Sequence, residues 1–142
     1  MKIVTYPNPI LETKASKIKN PLAPEIQKLI KEMRQVMKEN NGIGLAAPQI
    51  GKSLRLCLIE IEKKLFILIN PKITSHSRET EIAEEGCLSF PGKFLQIERA
   101  VSVQVRYLNE KGEKQKLKAS GLLSQALQHE IDHLNGILFI NR

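Results

Sequence analysis

Two histidines four residues apart, His129 and His133, with Glu130 next to the first, are the residues of this 142-residue sequence best suited to chemistry. At about 100° per residue, positions four apart share one face of a helix, so two imidazoles there can grip one metal ion. Glu130 projects to the side of the pair, near enough to take a proton from water on the ion without being a ligand. The run His129-Glu130-Ile131-Asp132-His133 is thus the H-E-x-x-H arrangement of a metallohydrolase. Leu122 and Ala126 fall on the same face two turns and one turn earlier. Leu123, Leu127, Ile131 and Leu134 form a second apolar side, so the helix is expected to be buried on most of its circumference. Buried imidazoles need partners, and one metal ion would satisfy both. A chance pairing on a surface helix is the competing reading, and it is weakened because the sequence holds only three histidines.

A tetrahedral catalytic site needs a third protein ligand and one open position. In the extended H-E-x-x-H-x-x-G-x-x-H pattern a third histidine would stand where this sequence has Phe139, and no acidic residue occurs between Gly136 and Arg142. The third ligand must come from upstream. Glu84-Glu85-Gly86-Cys87-Leu88-Ser89 offers a thiolate, a strong partner for a divalent ion, beside a glycine that lets the chain pass close. Cys87 is therefore the candidate, against a buried structural cysteine or a Cys57–Cys87 disulfide, which a reducing compartment disfavours. Cys57 itself lies within an apolar run and reads as a small core residue. Residues 42–49, Gly-Ile-Gly-Leu-Ala-Ala-Pro-Gln, are small and apolar and end in one amide. They suit either a tight buried turn or a backbone that approaches a ligand, with the Gln49 amide donors available to a developing oxyanion.

The elements that would position these residues follow from periodicity. Residues 1–23, with Pro7, Pro9 and Pro21, read as an extended arm laid over the core. Pro24 opens an amphipathic helix carrying Ile26, Leu29, Ile30, Met33, Val36 and Met37 at helical spacing, and Asn40-Asn41-Gly42 stops it. Segments 54–61 and 65–69 form a β-hairpin, and Asn70-Pro71 ends its second strand. His76 falls in a polar stretch, 74–80, and reads as an exposed loop histidine. Val101, Val103, Val105 and Tyr107 alternate as a half-buried strand, 109–112 turns, and 113–119 returns as a charged edge strand. The histidine helix runs from about 121 to 135, Gly136 ends it, and 137–140 reads as a last strand.

A chain of this length supports one domain. Two cysteines, no secretory leader and no membrane-length apolar run point to a soluble protein of the cytoplasm. The net charge of +7 comes from lysines spread over loops, helix 24–40 and segment 111–118. It reads as a solvated basic surface, compatible with a weak attraction to ribosomes or RNA, because no basic motif interleaved with aromatics is present.

Three of these stretches together resemble peptide deformylase, whose motifs G-x-G-L-A-A-x-Q, E-G-C-L-S and Q-H-E-x-D-H-L-x-G stand complete and in order at 42–49, 85–89 and 128–136. The resemblance covers nearly the whole chain. It implies an α+β fold, with antiparallel β-sheets packed around a central metal-binding helix and an N-terminal amphipathic helix. Residues 1–142 would form a single catalytic domain without the C-terminal helix that many members carry. The implied activity removes the N-formyl group from the N-terminal formylmethionine of nascent polypeptides and releases formate. By the same resemblance Cys87, His129 and His133 hold one divalent ion, Fe²⁺ first, with Zn²⁺, Ni²⁺ or Co²⁺ able to substitute. Glu130 is general base and then acid. Gln49 and the backbone N–H of Leu88 bind the oxyanion, and Ile43, Gly44 and Gly86 hold the peptide as an added strand. Leu122 and Ala126 line a methionine pocket. Many members place an arginine near the substrate after the cysteine, and Lys93 or Arg99 would serve here. The implied partners are N-formylmethionyl peptides and, transiently, the ribosome, with no membrane, no specific nucleic acid and a monomeric chain.

Overall fold

A computed structural model describes residues 2–142. The apolar stripe that opens at Pro24 forms helix α1, Pro24–Glu39, with Ile26, Leu29, Ile30, Met33, Val36 and Met37 buried. Seven strands and a second helix follow. They are β1 (Gly44–Ala46), β2 (Leu56–Ile61), β3 (Lys64–His76), β4 (Thr80–Cys87), β5 (Phe90–Ala100), β6 (Ser102–Leu108), β7 (Lys114–Ser120) and α2 (Gly121–Leu134). Strands β1-β2-β3-β6-β7 make one antiparallel sheet, and β4 and β5 make a separate two-stranded one. The fold is mixed α and β with antiparallel sheets, as expected.

Period-two side-chain alternation gives the five-stranded sheet two apolar faces. Leu56, Leu58 and Ile69 meet α1 on one side. Cys57, Ile59, Leu68, Val103, Val105 and Ala119 meet Leu127, Ile131 and Leu134 of α2 on the other. Helix α2 ends as predicted, because Gly136 has φ 74, a left-handed cap that glycine adopts without strain. The arm before α1 lies on this core. Ala15 donates to the Leu134 carbonyl (2.9 Å), and the Asn70 amide exchanges two 2.9 Å hydrogen bonds with the backbone of Ile18.

Three expectations are corrected. The strand beginning near residue 65 does not stop at Asn70-Pro71 but continues to His76, because a bulge between Ile69 and Lys72 accommodates a proline that cannot donate to the ladder. His76 is exposed, as read, yet it closes a strand rather than sitting in a loop. Residues 137–140 form no strand. Phe139–Asn141 is a 3₁₀ turn, and Leu138 and Phe139 are buried by side-chain packing with Leu11, Phe90 and Ile97. Finally, the β4–β5 hairpin was not anticipated at all.

Candidate active site

Helix α2 sets His129 and His133 one turn apart with ring centroids 4.9 Å from each other, and the end of β4 brings Cys87 to them. The β4–β5 register shifts between Gly86, which pairs with Phe94, and Cys87, which pairs with Phe90, an irregularity that re-aims the cysteine. Cys87 Sγ lies 3.3 Å from His133 Nε2, and the two Nε2 atoms are 3.2 Å apart. An ion bound tetrahedrally at about 2.1 Å from nitrogen and 2.3 Å from sulfur would place such donors roughly 3.4–3.6 Å from one another, within a few tenths of an ångström of these separations. The three residues therefore fit one divalent cation, and a thiolate with two imidazoles suits a borderline-soft one.

The surroundings favour positive charge at that point. Glu85 Oε1 is 2.9 Å from His129 Nδ1, and an ionised carboxylate only accepts, so Nδ1 carries a proton and Nε2 is the ring nitrogen turned toward Cys87 and His133. Burial alone would lower the His129 pKa, but hydrogen bonds with Cys87 and Glu85 raise it to about 10. Burial, helped by repulsion from His129 and Arg99, drives His133 down to about 3, so its ring is neutral and able to ligate. Glu85 is held at about 2, because bonds from Arg99 and His129 outweigh the opposing effect of burial.

Glu85 is itself the start of a chain of charges. Arg99 donates from Nε and Nη2 to both Glu85 oxygens (2.8 Å each) and from Nη1 to Asp132 Oδ2 (2.7 Å). Arg142 then closes on both oxygens of Asp132. Arg99 is 4 % exposed and wholly engaged in these pairs, so it does not face a substrate, whereas Lys93 lines the pocket beside the histidines. Sequence reading gave Glu85, Asp132 and Ser89 no role and assigned Arg99 the wrong surroundings. The available signal was that Glu85 and Asp132 sit inside the two metal-ligand motifs.

That pocket, about 560 Å³, opens between β1 and β4 and is lined by Ile43, Gly44, Gln49, Gly86, Leu88, Leu122, Ala126 and Glu130, so every substrate-side residue named from the sequence except Arg99 borders it. Leu122 is half exposed at its rim, and Ala126 is buried. Gln49 is fixed at three points. Its Oε1 accepts from the Ala46 N–H (2.9 Å), and its Nε2 donates to Ser89 Oγ (3.2 Å) and toward Cys87 Sγ (3.6 Å). Ser89 in turn donates to the Val4 carbonyl (2.7 Å), which settles which end of the Gln49 amide faces Cys87 Sγ. The carbonyl of Ile43 accepts from Glu60 on β2 (2.8 Å). Backbone groups alternate along a strand, so those of Gly44 turn to the free edge of the sheet.

Glu130 is 5 % exposed, and burial pushes its carboxyl up to about 7. Among the described residues three buried side-chain nitrogen or oxygen atoms lack a hydrogen-bond partner, and two of them, Glu130 Oε1 and His133 Nδ1, are here. A carboxylate without a partner beside a cation-fitting donor set is suited to accept and return a proton.

The sequence model of the polypeptide deformylase family matches residues 1–142. The chain belongs to that family. It is similar to peptide deformylase of Natranaerobius thermophilus, 48 % identical over 99 % of this chain and 90 % of the relative. Among solved structures it is similar to the peptide deformylase of Thermotoga maritima (TM-score 0.96, 39 % identity, 99 % of this chain and 95 % of the other). It is likewise similar to a peptide deformylase of Synechococcus elongatus in complex with actinonin (TM-score 0.97, 41 % identity, 100 % and 78 %).

For this deformylase-family chain one glycine carries a sharp prediction. A Cβ added to Gly44 would lie 2.5 Å from Glu130 Oε2 and 3.0 Å from its Cδ, so Gly44→Ala must move the carboxylate. Turnover is expected to fall by about a hundredfold, the order of loss from misplacing a reacting group by about 1 Å, while bound metal stays at the wild-type level. Steady-state kinetics beside metal analysis would check this, and unchanged turnover would mean that the contact does not position Glu130.

Proposed function

We propose that this chain removes the formyl group from N-terminal formylmethionine of nascent polypeptides, using a divalent cation held by Cys87, His129 and His133. The observation that carries the reading is the convergence, in one pocket, of a cation-fitting Cys/His/His set with the buried, unpartnered Glu130 and the oriented amide of Gln49. When bound, a divalent cation supplies acidified water and a polarised carbonyl.

The protein's own groups do the rest. Glu130 takes a proton as water oxygen adds to the formyl carbon. The Gln49 amide and the Leu88 N–H stabilise the negative charge that develops on the formyl oxygen. Glu130 returns the proton to nitrogen as the C–N bond breaks, leaving formate and a free amine. The free edge of β1 at Gly44 and the chain at Gly86 would hold the peptide as an added strand, with Ile43 beside it, and Leu122 and Ala126 would line the space for the methionine side chain. Residues 1–142 act as one catalytic domain, because α2 is shared by the core and the site.

Formate release from a formyl-Met tripeptide, assayed without oxygen, tests the reading. Cleavage of internal peptide bonds without formate would overturn it. We further read the chain as a cytoplasmic monomer that meets its substrates in transient association with the ribosome. No helix among the described residues is long and apolar enough to cross a membrane.

The donor set accepts Zn²⁺, Ni²⁺ or Co²⁺ as well as Fe²⁺, and the family resemblance favours Fe²⁺. A ferrous ion and a thiolate beside an open pocket are both oxidisable. Iron-loaded protein is therefore expected to lose activity in air, and nickel- or cobalt-loaded protein to keep it. Parallel time courses with and without oxygen check this, and equal lifetimes in air would remove the physical support for iron.

A further inference from the structure

Helix α1 covers the β1–β3 part of one sheet face and the Leu108 end of β6, and α2 covers the opposite face. The remaining quarter, the outer side of β3, β6 and β7, carries Lys72, Arg106, Lys114, Lys116 and Lys118, all exposed. Their arrangement is not scattered. Lys72 pairs directly with Arg106 across β3–β6, and Arg106 directly with Lys116 across β6–β7, so three cations stand side by side in one row. Lys114 and Lys118 flank that row along β7, opposite Leu108 and Gln104. None of the five joins an ion pair among the described residues. Like charges directly opposite destabilise a sheet, so packing and pairing alone do not account for the row.

A second feature adjoins the row. A shallow pocket of about 310 Å³ begins at Gln104 and Lys118 and runs over the strand ends, lined by Ser75, Ser77, Ser102, Ser120 and His76 with Val103 and Ala119, and no carboxylate is among its lining residues. Hydroxyls, an amide, an imidazole and an amine make a donor-rich dent beside a cationic row.

We propose that this face docks the phosphate backbone of RNA. The cations repeat at about 4.8 Å across the strands and about 6.8 Å along β7, an array that a chain of phosphates can follow. The serine-lined dent suits ribose hydroxyls, and His76 at its edge offers a ring for an unstacked base. A membrane surface is the poorer fit, because the five cations are joined by only one large exposed apolar side chain, Leu22, which sits against the β6–β7 turn at Gly112, and a single leucine gives little to insert beside the lysines. Recognition here is of backbone and shape, without base-specific contacts. The face shares no residue with the deformylase pocket, so both can be occupied together.

The test uses the full metal-loaded chain and a fluorescent RNA hairpin with a single-stranded overhang, titrated by anisotropy from about 50 to 200 mM salt. Five phosphate contacts predict a slope of log K against log salt of roughly −3.5 to −4.5. The triple variant Lys72→Gln/Arg106→Gln/Lys116→Gln should weaken binding at least about tenfold at low salt and flatten the slope by about 2 to 3. A control that removes the same charge elsewhere, Lys14→Gln/Lys28→Gln/Lys52→Gln, should bind like wild type. Both triples should keep wild-type kcat/KM on a formyl-Met tripeptide and wild-type Tm, which separates lost docking from lost folding. Equal weakening by the control triple would mean diffuse attraction to net charge and would overturn the proposal. Tighter binding of polyglutamate or of phosphatidylserine vesicles than of RNA would overturn it as well.

Discussion

Cys87→Ser is expected to empty the metal centre while leaving the fold in place. A neutral hydroxyl is a poor ligand, and the two imidazoles that remain make an incomplete set for a tetrahedral ion. Loss of a group that merely orients a ligand lowers metal affinity 10- to 100-fold, so loss of the ligand itself should cost at least about a hundredfold. Metal per chain after exposure to a chelator, measured beside circular dichroism, would read this directly. The dichroism should change little, because Cys87 is only partly buried and closes a strand at a point where the ladder is already shifted. Metal retained at wild-type stoichiometry would remove Cys87 from the ligand set.

Glu130→Gln separates holding the ion from using it. The amide keeps the size of the side chain, and so its contact with Gly44, but it cannot accept a proton. Bound metal should therefore remain at one ion per chain, while turnover falls by at least roughly a hundredfold, the lower range for losing a general base. The predicted contrast is diagnostic, since Cys87→Ser loses activity through the metal and Glu130→Gln loses it with the metal in place. Wild-type turnover in Glu130→Gln would show that the proton travels by another route.

The parts of the fold that were legible in the sequence are those whose side chains keep a period. Helix α1 shows six buried apolar residues at helical spacing, and β6 shows Val103 and Val105 in strict alternation. Helix α2 and its histidines were legible because two ligands on one helix are a local pattern. Strand β4 was not. It reads Thr-Glu-Ile-Ala-Glu-Glu-Gly-Cys, its Ile82 faces solvent, and its one buried residue is Glu85. A carboxylate is expected outside unless it is paired, and the pairing is tertiary, since Arg99 and His129 reach Glu85 from other elements. The same reason explains Arg99, which the family resemblance offered beside Lys93 as a substrate contact but whose charge is consumed inside. At the end of the chain, Ile137-Leu138-Phe139-Ile140 has the composition of a strand, and a run that short carries no period able to distinguish pairing from packing.

The central position of α2 has a consequence for how the protein comes to exist. All seven strands precede α2 in the chain, yet the inner face of the sheet, with Cys57, Ile59, Leu68, Val103, Val105 and Ala119, is covered by that helix. Cys87 and His133 are 46 residues apart, and Gln49 and Cys87 are 38 apart. During synthesis the strands must wait, with an apolar face unshielded, until residues 121–134 have been made. Early pairing among them gains little until that helix docks. Folding is thus late and nearly all at once, and metal loading is later still, because His129 and His133 lie on the helix that follows all seven strands. A protein proposed to process chains as they emerge cannot itself assemble its site until α2 has followed every strand out of synthesis.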